Sequence, residues 1–145
     1  MIEFKDATAE DFLAAFDFIQ KLWDYNTYEE APTKAVYEEV ICDPNSFAFF
    51  LMDDGEYVGF CHGDYFPTFW MCGLTCYVSS LITIAGKRHQ GYGGKMMDHA
   101  VGLAKQRGCK AVILDSGMPR NDAHTFYEHY GFEKSCYGFE MILPR

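Results

Sequence analysis

The chain has 145 residues, 49% of them apolar and 17% aromatic against 23% charged, a balance that excludes a disordered protein. That length corresponds to about one domain, so we expect a single domain over residues 1–145. Twelve Lys and Arg against 21 Asp and Glu leave a net charge of −9, which repels the phosphate backbone of nucleic acids and argues against them as partners.

The first 45 residues predict one strand and two helices. Residues 2–5 alternate as a short strand, and Thr8 with Asp11 forms a capping box at the start of an amphipathic helix. A second, shorter helix is predicted to follow Pro32 and to end at residues 43–45, where Asp-Pro-Asn favours a turn. The side chains expected to face the core from the two helices are Phe12, Phe16, Ile19, Trp23, Val36, Tyr37, Val40 and Ile41.

The rest of the chain predicts a sheet and two more helices. Three strands, over residues 47–52, 57–65 and 74–84, are expected to form an antiparallel meander. The elements expected after it are a helix over 91–107, a strand over 111–115, a helix over 123–130 and a last strand over 137–143. This order predicts an α/β (α+β) three-layer sandwich with a mixed, mostly antiparallel sheet and helices on both faces.

A glycine-rich turn at residues 87–95 separates a buried strand from the helix that follows it. Gly91, Gly93 and Gly94 have no Cβ, so their backbone N–H groups can approach an anion at the positive end of the helix. Lys87, Arg88 and Lys95 concentrate positive charge at this one point of an acidic chain. The turn therefore predicts a phosphate-binding site.

Two common nucleotide motifs do not fit this turn. A dinucleotide fingerprint would need glycine where Met96 stands, and a P-loop would need lysine where Tyr92 stands. The six residues from Arg88 to Gly93 read R-x-x-G-x-G. This hexapeptide resembles the pyrophosphate-binding signature of the GNAT acetyltransferase superfamily.

A second motif lies one helix and one strand further along the chain. Residues 120–132 resemble the R/N-x-x-A-x-x-F-Y-E-x-x-G-F segment of the last helix in many GNAT proteins. In that family the tyrosine at the position of Tyr127 points at the sulfur of coenzyme A, and the small residue at Ala123 leaves room for the pantetheine arm. The resemblance thus implies that Tyr127 is the catalytic acid that protonates the leaving thiolate; the alternative is a core aromatic.

The resemblance covers the element order of nearly the whole chain and implies both the fold and the co-substrate. The fourth and fifth strands would splay apart, and acetyl-CoA would lie against the backbone of the fourth. Thr83 and Ala85 depart from the family, where an aliphatic residue and a proline are usual, but backbone amides make these contacts. The residues assigned to cofactor binding are Leu81, Ile82, Thr83, Ile84, Arg88, His89, Gln90, Gly91, Tyr92, Gly93, Gly94, Lys95, Arg120, Asn121, Ala123 and Phe126.

The implied activity is transfer of an acetyl group from acetyl-CoA to a primary amine by direct attack. A main-chain N–H within residues 82–84 would donate to the developing oxyanion. The general base is left open, because residues 75–81 contain no carboxylate, the group that many family members use. His62, Asp64 or a water held by Ser79 are the alternatives.

The acceptor is expected to be a small-molecule or peptide amine, whose identity the sequence leaves open. In this family the acceptor pocket is built from the loop between the first two helices and the loop between the third and fourth strands. Here both loops are aromatic and partly acidic, which suits an ammonium group with apolar parts. The candidate acceptor residues are Trp23, Tyr25, Tyr28, Glu29, His62, Asp64, Phe69 and Ser79.

The sequence also predicts the protein's setting. The amino terminus lacks the apolar run of a secretory signal, and Pro67 and Gly73 interrupt the longest uncharged stretch, so a cytoplasmic protein without a membrane segment is expected. Cys72, Cys76 and His62 lack a fourth ligand, so no metal is expected. Exposed sheet edges would permit a homodimer. The alternative function is a catalytically silent acyl-CoA-binding regulatory module, which the missing strand carboxylate supports.

Overall fold

A computed structural model of the chain describes residues 1–85 and 90–144. The elements in chain order are β1 (Ile2–Asp6), a 3-10 turn (Ala9–Asp11), α1 (Phe12–Leu22), α2 (Glu30–Cys42), β2 (Ser46–Asp53), β3 (Glu56–Thr68), β4 (Gly73–Thr83), α3 (Tyr92–Arg107), β5 (Ala111–Leu114) and α4 (Asn121–Tyr130). The chain divides into two compact units, Met1–Leu114 and Asp115–Arg145. The assignment of the whole chain to one domain stays a prediction.

The five strands form one sheet in the order β1-β2-β3-β4-β5. Neighbours from β1 to β4 are antiparallel, and β4 pairs with β5 in parallel, which confirms the mixed sheet. The parallel ladder ends at the pair of Val78 with Leu114, whereas β4 continues to Thr83. β4 therefore extends beyond its pairing with β5, and the splaying of the two strands stays a prediction.

One face of the sheet packs against α1 and α2. Phe12 and Phe18 of α1 and Tyr37 of α2 cluster with Phe50 and Phe60, which are cross-strand partners in β2 and β3. The rings of Phe18 and Phe60 lie 6.3 Å apart between centroids. Because aromatic side chains bury the largest apolar areas, this cluster supplies much of the hydrophobic stabilisation of the unit.

The opposite face of the sheet packs against α3. Met96 and Met97 are fully buried, and Met96 lies over Gly59, where an added Cβ would come within 2.3 Å of the methionine sulfur. His99 stacks on Phe4 of β1, with 4.1 Å between ring centroids. Helices on both faces confirm the three-layer arrangement.

The capping box at the start of α1 is also a tertiary anchor. Asp11 is buried, accepts hydrogen bonds from the Thr8 amide at 3.0 Å and the Tyr57 hydroxyl at 2.6 Å, and forms an ion pair with Lys5. Burial raises the pKa of this carboxyl, but the hydrogen bonds from Lys5, Tyr57 and Thr8 outweigh it and hold the pKa at about 2. The start of α1 is thereby tied to β1 and β3.

The predicted core stripes of the first two helices are partly wrong. In α1 the fully buried residues are Phe12, Ala15, Phe18 and Leu22; the predicted Phe16 and Ile19 are half-buried but pack against the core cluster, and Trp23 is half-buried. In α2, Val36 is 59% exposed and Tyr37 alone is fully buried among the described residues of that helix. Both sets have helical spacing, and the position of the sheet decides which of them is covered.

The predicted last strand over residues 137–143 is also wrong. Described residues 131–144 lie outside helices and strands, and Tyr137 and Phe139 are 81% and 94% exposed. Alternating residues can form a strand only where a neighbouring strand accepts and donates backbone hydrogen bonds, and the described residues provide none for this segment. Within the described ranges, no helix has the length and apolar character needed to cross a bilayer.

Candidate active site

The upper half of β4 carries an irregularity next to its unpaired edge. His62 of β3 pairs with Ser80, whereas the next residue, Gly63, pairs with Val78, so Ser79 is an extra residue in β4. This β-bulge lies beside the last pair of the parallel ladder, Val78 with Leu114. Bulges re-aim strands and are enriched next to active sites. From Ser79 onward, β4 is paired through β3 alone within the described residues.

Successive residues of β4 direct their backbone N–H and C=O groups to alternate sides, which shows which of them face the open edge. The amide of Ile84 donates to the carbonyl of Val58 at 3.0 Å. Hydrogen-bonded and non-bonded pairs alternate in an antiparallel ladder, so Ile82 also bonds toward β3. The amides and carbonyls of Leu81 and Thr83 therefore point away from β3, toward the open edge. Of the amides within 82–84, that of Thr83 faces the open edge, whereas those of Ile82 and Ile84 face β3.

The start of α3 presents a glycine-built terminus. Gly91 caps the helix in the left-handed conformation, with φ of 77°, which explains why glycine occupies this position. The amide of Lys95 is the first to reach a helical carbonyl, that of Gly91, at 3.1 Å. Among the described atoms, a Cβ added at Gly91 or Gly94 would meet nothing within 4 Å. The amides before Lys95 thus have no helical carbonyl partner within the described chain and carry the positive end of the helix dipole.

A cluster of polar side chains lies beside the bulge, on the face of the sheet that packs against α1 and α2. The Nε2 atom of His62 is 3.7 Å from Asp64 Oδ2, and Asp64 Oδ1 accepts a hydrogen bond from Ser46 Oγ. Ser80, the cross-strand partner of His62, is buried. Burial lowers the pKa of His62, and the Asp64 carboxylate partly opposes this by raising it.

The linker between α1 and α2 begins at the level of His62. At the start of α1, Asp11 is hydrogen-bonded to Tyr57 of β3, and further along Phe18 contacts Phe60 of β3. The two contacts are about 10 Å apart along the helix and about 10 Å apart along the strand, so α1 and β3 run side by side. Five further residues, about 7.5 Å, bring the helix to Trp23 near the level of His62. The linker residues range from half-buried to exposed: Trp23, Tyr25, Tyr28 and Glu29.

The predicted residues near the second motif lie in the unit Asp115–Arg145. Arg120 is the N-cap of α4, which starts at Asn121, and Ala123 and Phe126 are half-buried. Tyr127 is half-buried too, with its ring 5.3 Å from that of Phe126 and 5.9 Å from that of Phe132 between centroids. The family motif therefore forms the helix and turn that were predicted.

Some predicted site residues lie apart from these groups or outside the description. Phe69 is fully exposed in the turn between β3 and β4, about 30 Å along β4 from Thr83. Gln90 is exposed, and Tyr92 is buried with its hydroxyl bonded to Asp53. Arg88 and His89 lie outside the described residues.

Sequence reasoning missed three residues that shape the site. Ser80 and Ser46 flank the His62–Asp64 pair, and Asp53 anchors the start of α3 through Tyr92. These partners depend on the strand register, which the extra residue at Ser79 shifts. The adjacent serines of β4, Ser79 and Ser80, were the one signal in the sequence for these contacts, because polar residues in a buried strand require hydrogen-bond partners.

Comparison with known proteins identifies the family. The chain matches the acetyltransferase (GNAT) family over residues 10–132. It is 39% identical over 68 residues to the uncharacterized N-acetyltransferase YhdJ of Bacillus subtilis strain 168, covering 46% of this chain and 48% of that protein. It is 24% identical over 145 residues to the aminoalkylphosphonate N-acetyltransferase of Salmonella typhimurium strain LT2, covering 97% and 91%. A solved aminoglycoside N-acetyltransferase in complex with CoA has a TM-score of 0.84 at 15% identity, covering 100% of this chain and 94% of that chain.

The chain belongs to the acetyltransferase (GNAT) family. Its match spans about half the length of YhdJ and nearly all of the Salmonella protein. The family's co-substrate, acetyl-CoA, fits the described residues, since β4 offers an open backbone edge and α3 begins at glycines bordering open space. The edge suits an extended amide-containing arm, and the helix terminus suits a diphosphate.

Proposed function

We propose that this protein transfers the acetyl group of acetyl-CoA to a primary amine of a small molecule or peptide by direct attack. The observation that supports it best is the open edge of β4 at Leu81 and Thr83, followed in the chain by the glycine-capped start of α3. Acetyl-CoA supplies an activated thioester. The protein's own groups bind it, polarise its carbonyl and handle protons.

The backbone supplies the binding and the electrophilic assistance. The amides of Leu81 and Thr83 pair with the extended arm, and one of them donates to the thioester carbonyl as its oxygen gains charge. The amides of residues 91–94 hold the diphosphate at the positive end of α3. Arg88, His89 and Gln90 extend this cradle in the family signature.

The second motif supplies the proton for the departing sulfur. Tyr127 is the proposed acid, because phenols stay protonated at neutral pH and the motif assigns this position to the thiolate. Arg120, Asn121, Ala123 and Phe126 are proposed to complete the binding of the co-substrate on the same motif.

The acceptor is proposed to be a cationic amine. The net charge of −9 attracts ammonium groups, and the α1–α2 linker combines rings with carboxylates. The Salmonella relative is named for aminoalkylphosphonates and the solved structure for aminoglycosides, so both classes belong in the first panel. A peptide with a free amino terminus represents the third class.

The experiment combines co-substrate binding with thiol release. Acetyl-CoA should raise the melting temperature, protect the amides of residues 91–94 from exchange, and release thiol in the presence of at least one amine from the panel. The absence of both a thermal shift and amide protection would contradict the proposal.

One observation favours a second candidate, a catalytically silent acyl-CoA-binding module. Strand β4, Gly73–Thr83, contains no carboxylate to deprotonate an amine. Tight acetyl-CoA binding without thiol release across a broad amine panel would decide for this alternative.

A further inference from the structure

Direct attack requires an uncharged amine, and a primary alkylamine is protonated at neutral pH. The site must therefore contain a group that receives this proton. Because β4 has no carboxylate, an ionisable side chain that receives this proton has to come from another element. Within the described chain, the polar cluster beside the bulge, with His62 and Asp64, has side chains that can accept a proton.

His62 has the features of a proton acceptor. Its side chain is 19% exposed, and its Nε2 atom is buried without a hydrogen-bond partner among the described residues. Asp64 Oδ2, at 3.7 Å, is beyond hydrogen-bonding reach but near enough to stabilise an imidazolium. Buried polar atoms are nearly always paired, so an unpaired imidazole nitrogen beside the bulge of β4 indicates a functional role.

The surroundings leave Asp64 as the dominant charge near His62. From β4, Ser80 and Tyr77 share this face, and from β2 its neighbours are Ala48 and Ser46. The helix α1 packs Phe18 on this face. The other charged groups of the two helices and their linker are all exposed: Asp17, Lys21, Asp24, Glu29, Glu30, Lys34, Glu38 and Glu39. Asp17 and Lys21 pair with each other at 2.8 Å.

We propose that His62, with Asp64 behind it, takes the proton from the acceptor's ammonium group and releases it to solvent. This inference rests on the proposed function. Two protons leave the nitrogen in all: one passes through His62, and the second ends on the sulfur of coenzyme A. A C–N bond forms, the C–S bond breaks, and its electron pair stays on the sulfur.

The electrostatic environment supports this role. Burial keeps the pKa of His62 below its ordinary value, so the imidazole is neutral and able to accept a proton at neutral pH. The Asp64 carboxylate opposes this effect and stabilises the imidazolium once it forms. An imidazole that is uncharged at neutral pH and has a carboxylate to stabilise its protonated form meets the requirements of a general base.

The first test replaces the imidazole. With an amine that the wild type acetylates, His62→Gln should lower kcat at pH 7 about 100-fold and abolish the acidic limb of the kcat/KM profile. The matched control is His99→Gln on the opposite face, whose ring packs on Phe4 and Phe49 and whose pKa burial also lowers. The control should keep the acidic limb. A wild-type rate and profile in His62→Gln would overturn the proposal.

The second test replaces the Asp64 carboxylate, and its first measurement does not require turnover. In Asp64→Asn, the NMR titration of the His62 ring should move to lower pH, because the group that raises its pKa is gone. The acidic limb of kcat/KM should move in the same direction. If both stay in place, His62 does not act with Asp64 and the proposal fails, even where His62→Gln does not fold.

These outcomes separate the inference from the proposed function. A wild type that neither binds acetyl-CoA nor releases thiol contradicts the proposed function. A wild type that acetylates amines, with an acidic limb insensitive to both substitutions, contradicts only the role of His62.

Discussion

The hydroxyl of Tyr92, in the first turn of α3, donates a hydrogen bond to Asp53 Oδ2 at the end of β2. The glycine-capped terminus is thereby fixed to the sheet through a side chain, although its cap, Gly91, has none. This hydrogen bond to the Asp53 carboxylate raises the pKa of Tyr92 to about 12, so the phenol remains a donor throughout the physiological range.

Tyr92→Phe removes this anchor while keeping the ring. We expect a lower melting temperature and weaker binding of coenzyme A, because the first turn of α3 loses its tie to β2. Calorimetric unfolding and binding titrations measure the two effects. Asp54→Asn is the control, since that exposed carboxylate contacts the amino group of Met1 instead. Equal effects of the two substitutions would argue against the anchor.

Gly91→Ala and Gly94→Ala form a matched pair in the same turn. Gly91 has a φ of 77°, so alanine there should destabilise the protein by about 1 kcal/mol or more. Gly94 lies inside α3 with open space at its Cβ position, so alanine should stabilise it by up to about 1 kcal/mol. Urea unfolding distinguishes the two. If Gly91→Ala costs nothing, the left-handed cap is not required.

Asp11→Asn tests the anchor of α1. We expect a loss of about 2 kcal/mol at pH 7, because a buried carboxylate loses charge-assisted hydrogen bonds from Lys5, Tyr57 and Thr8. The pKa of Asp11 in the folded chain is about 2, below its ordinary value. The contribution of the Asp11 carboxylate to the free energy of unfolding is therefore complete above about pH 4 and is lost as the pH falls toward 2.

Urea titrations of the Asp11→Asn variant and the wild type at several pH values check this window. Asp17→Asn provides the control on the same segment, because its pair with Lys21 is exposed and should contribute less than about 1 kcal/mol. A stability difference for Asp11→Asn that is as large at pH 2 as at pH 7 would contradict the assignment.

Tyr127→Phe tests the proposed acid. The variant should bind coenzyme A as the wild type does but turn over about 100-fold more slowly, because only the proton donor is lost. Tyr130→Phe, one turn further along α4, is the control and should retain turnover. Unchanged turnover in Tyr127→Phe would remove this residue from the acid role.

Most of the fold could be predicted from the sequence, because the periods of two and of 3.6 residues mark β2–β4 and α3 directly. The capping box at Thr8 was equally visible, since it acts through local backbone geometry. The strand over 137–143 was wrong because pairing is not a local property. The buried stripe of α1 was shifted for the same reason, since the sheet decides which apolar residues are covered.

The candidate site likewise has one part that local sequence predicts and one part that depends on strand pairing. The motif around Gly91 could be found from the sequence because its chemistry belongs to consecutive backbone amides. The relation of His62 to Asp64, Ser46 and Ser80 could not, because it depends on the pairing of three strands and on one extra residue. That registration is set by tertiary packing rather than by local sequence.

The extra residue at Ser79 gives β4 one residue more than its pairing with β3 requires. Below it, the carbonyl of Leu74 faces β5 and accepts the amide of Lys110 at 2.8 Å; above it, the odd-numbered residues take over that direction. Deleting Ser79 would bring Val78 and Ser80, the partners of Gly63 and His62, next to each other, and the ladder would become regular with the Leu81 and Thr83 amides still directed away from β3. This part of β4 can therefore lose one residue without turning Ile82 out of the core, whereas a second deletion beside it would aim the Leu81 and Thr83 amides at β3.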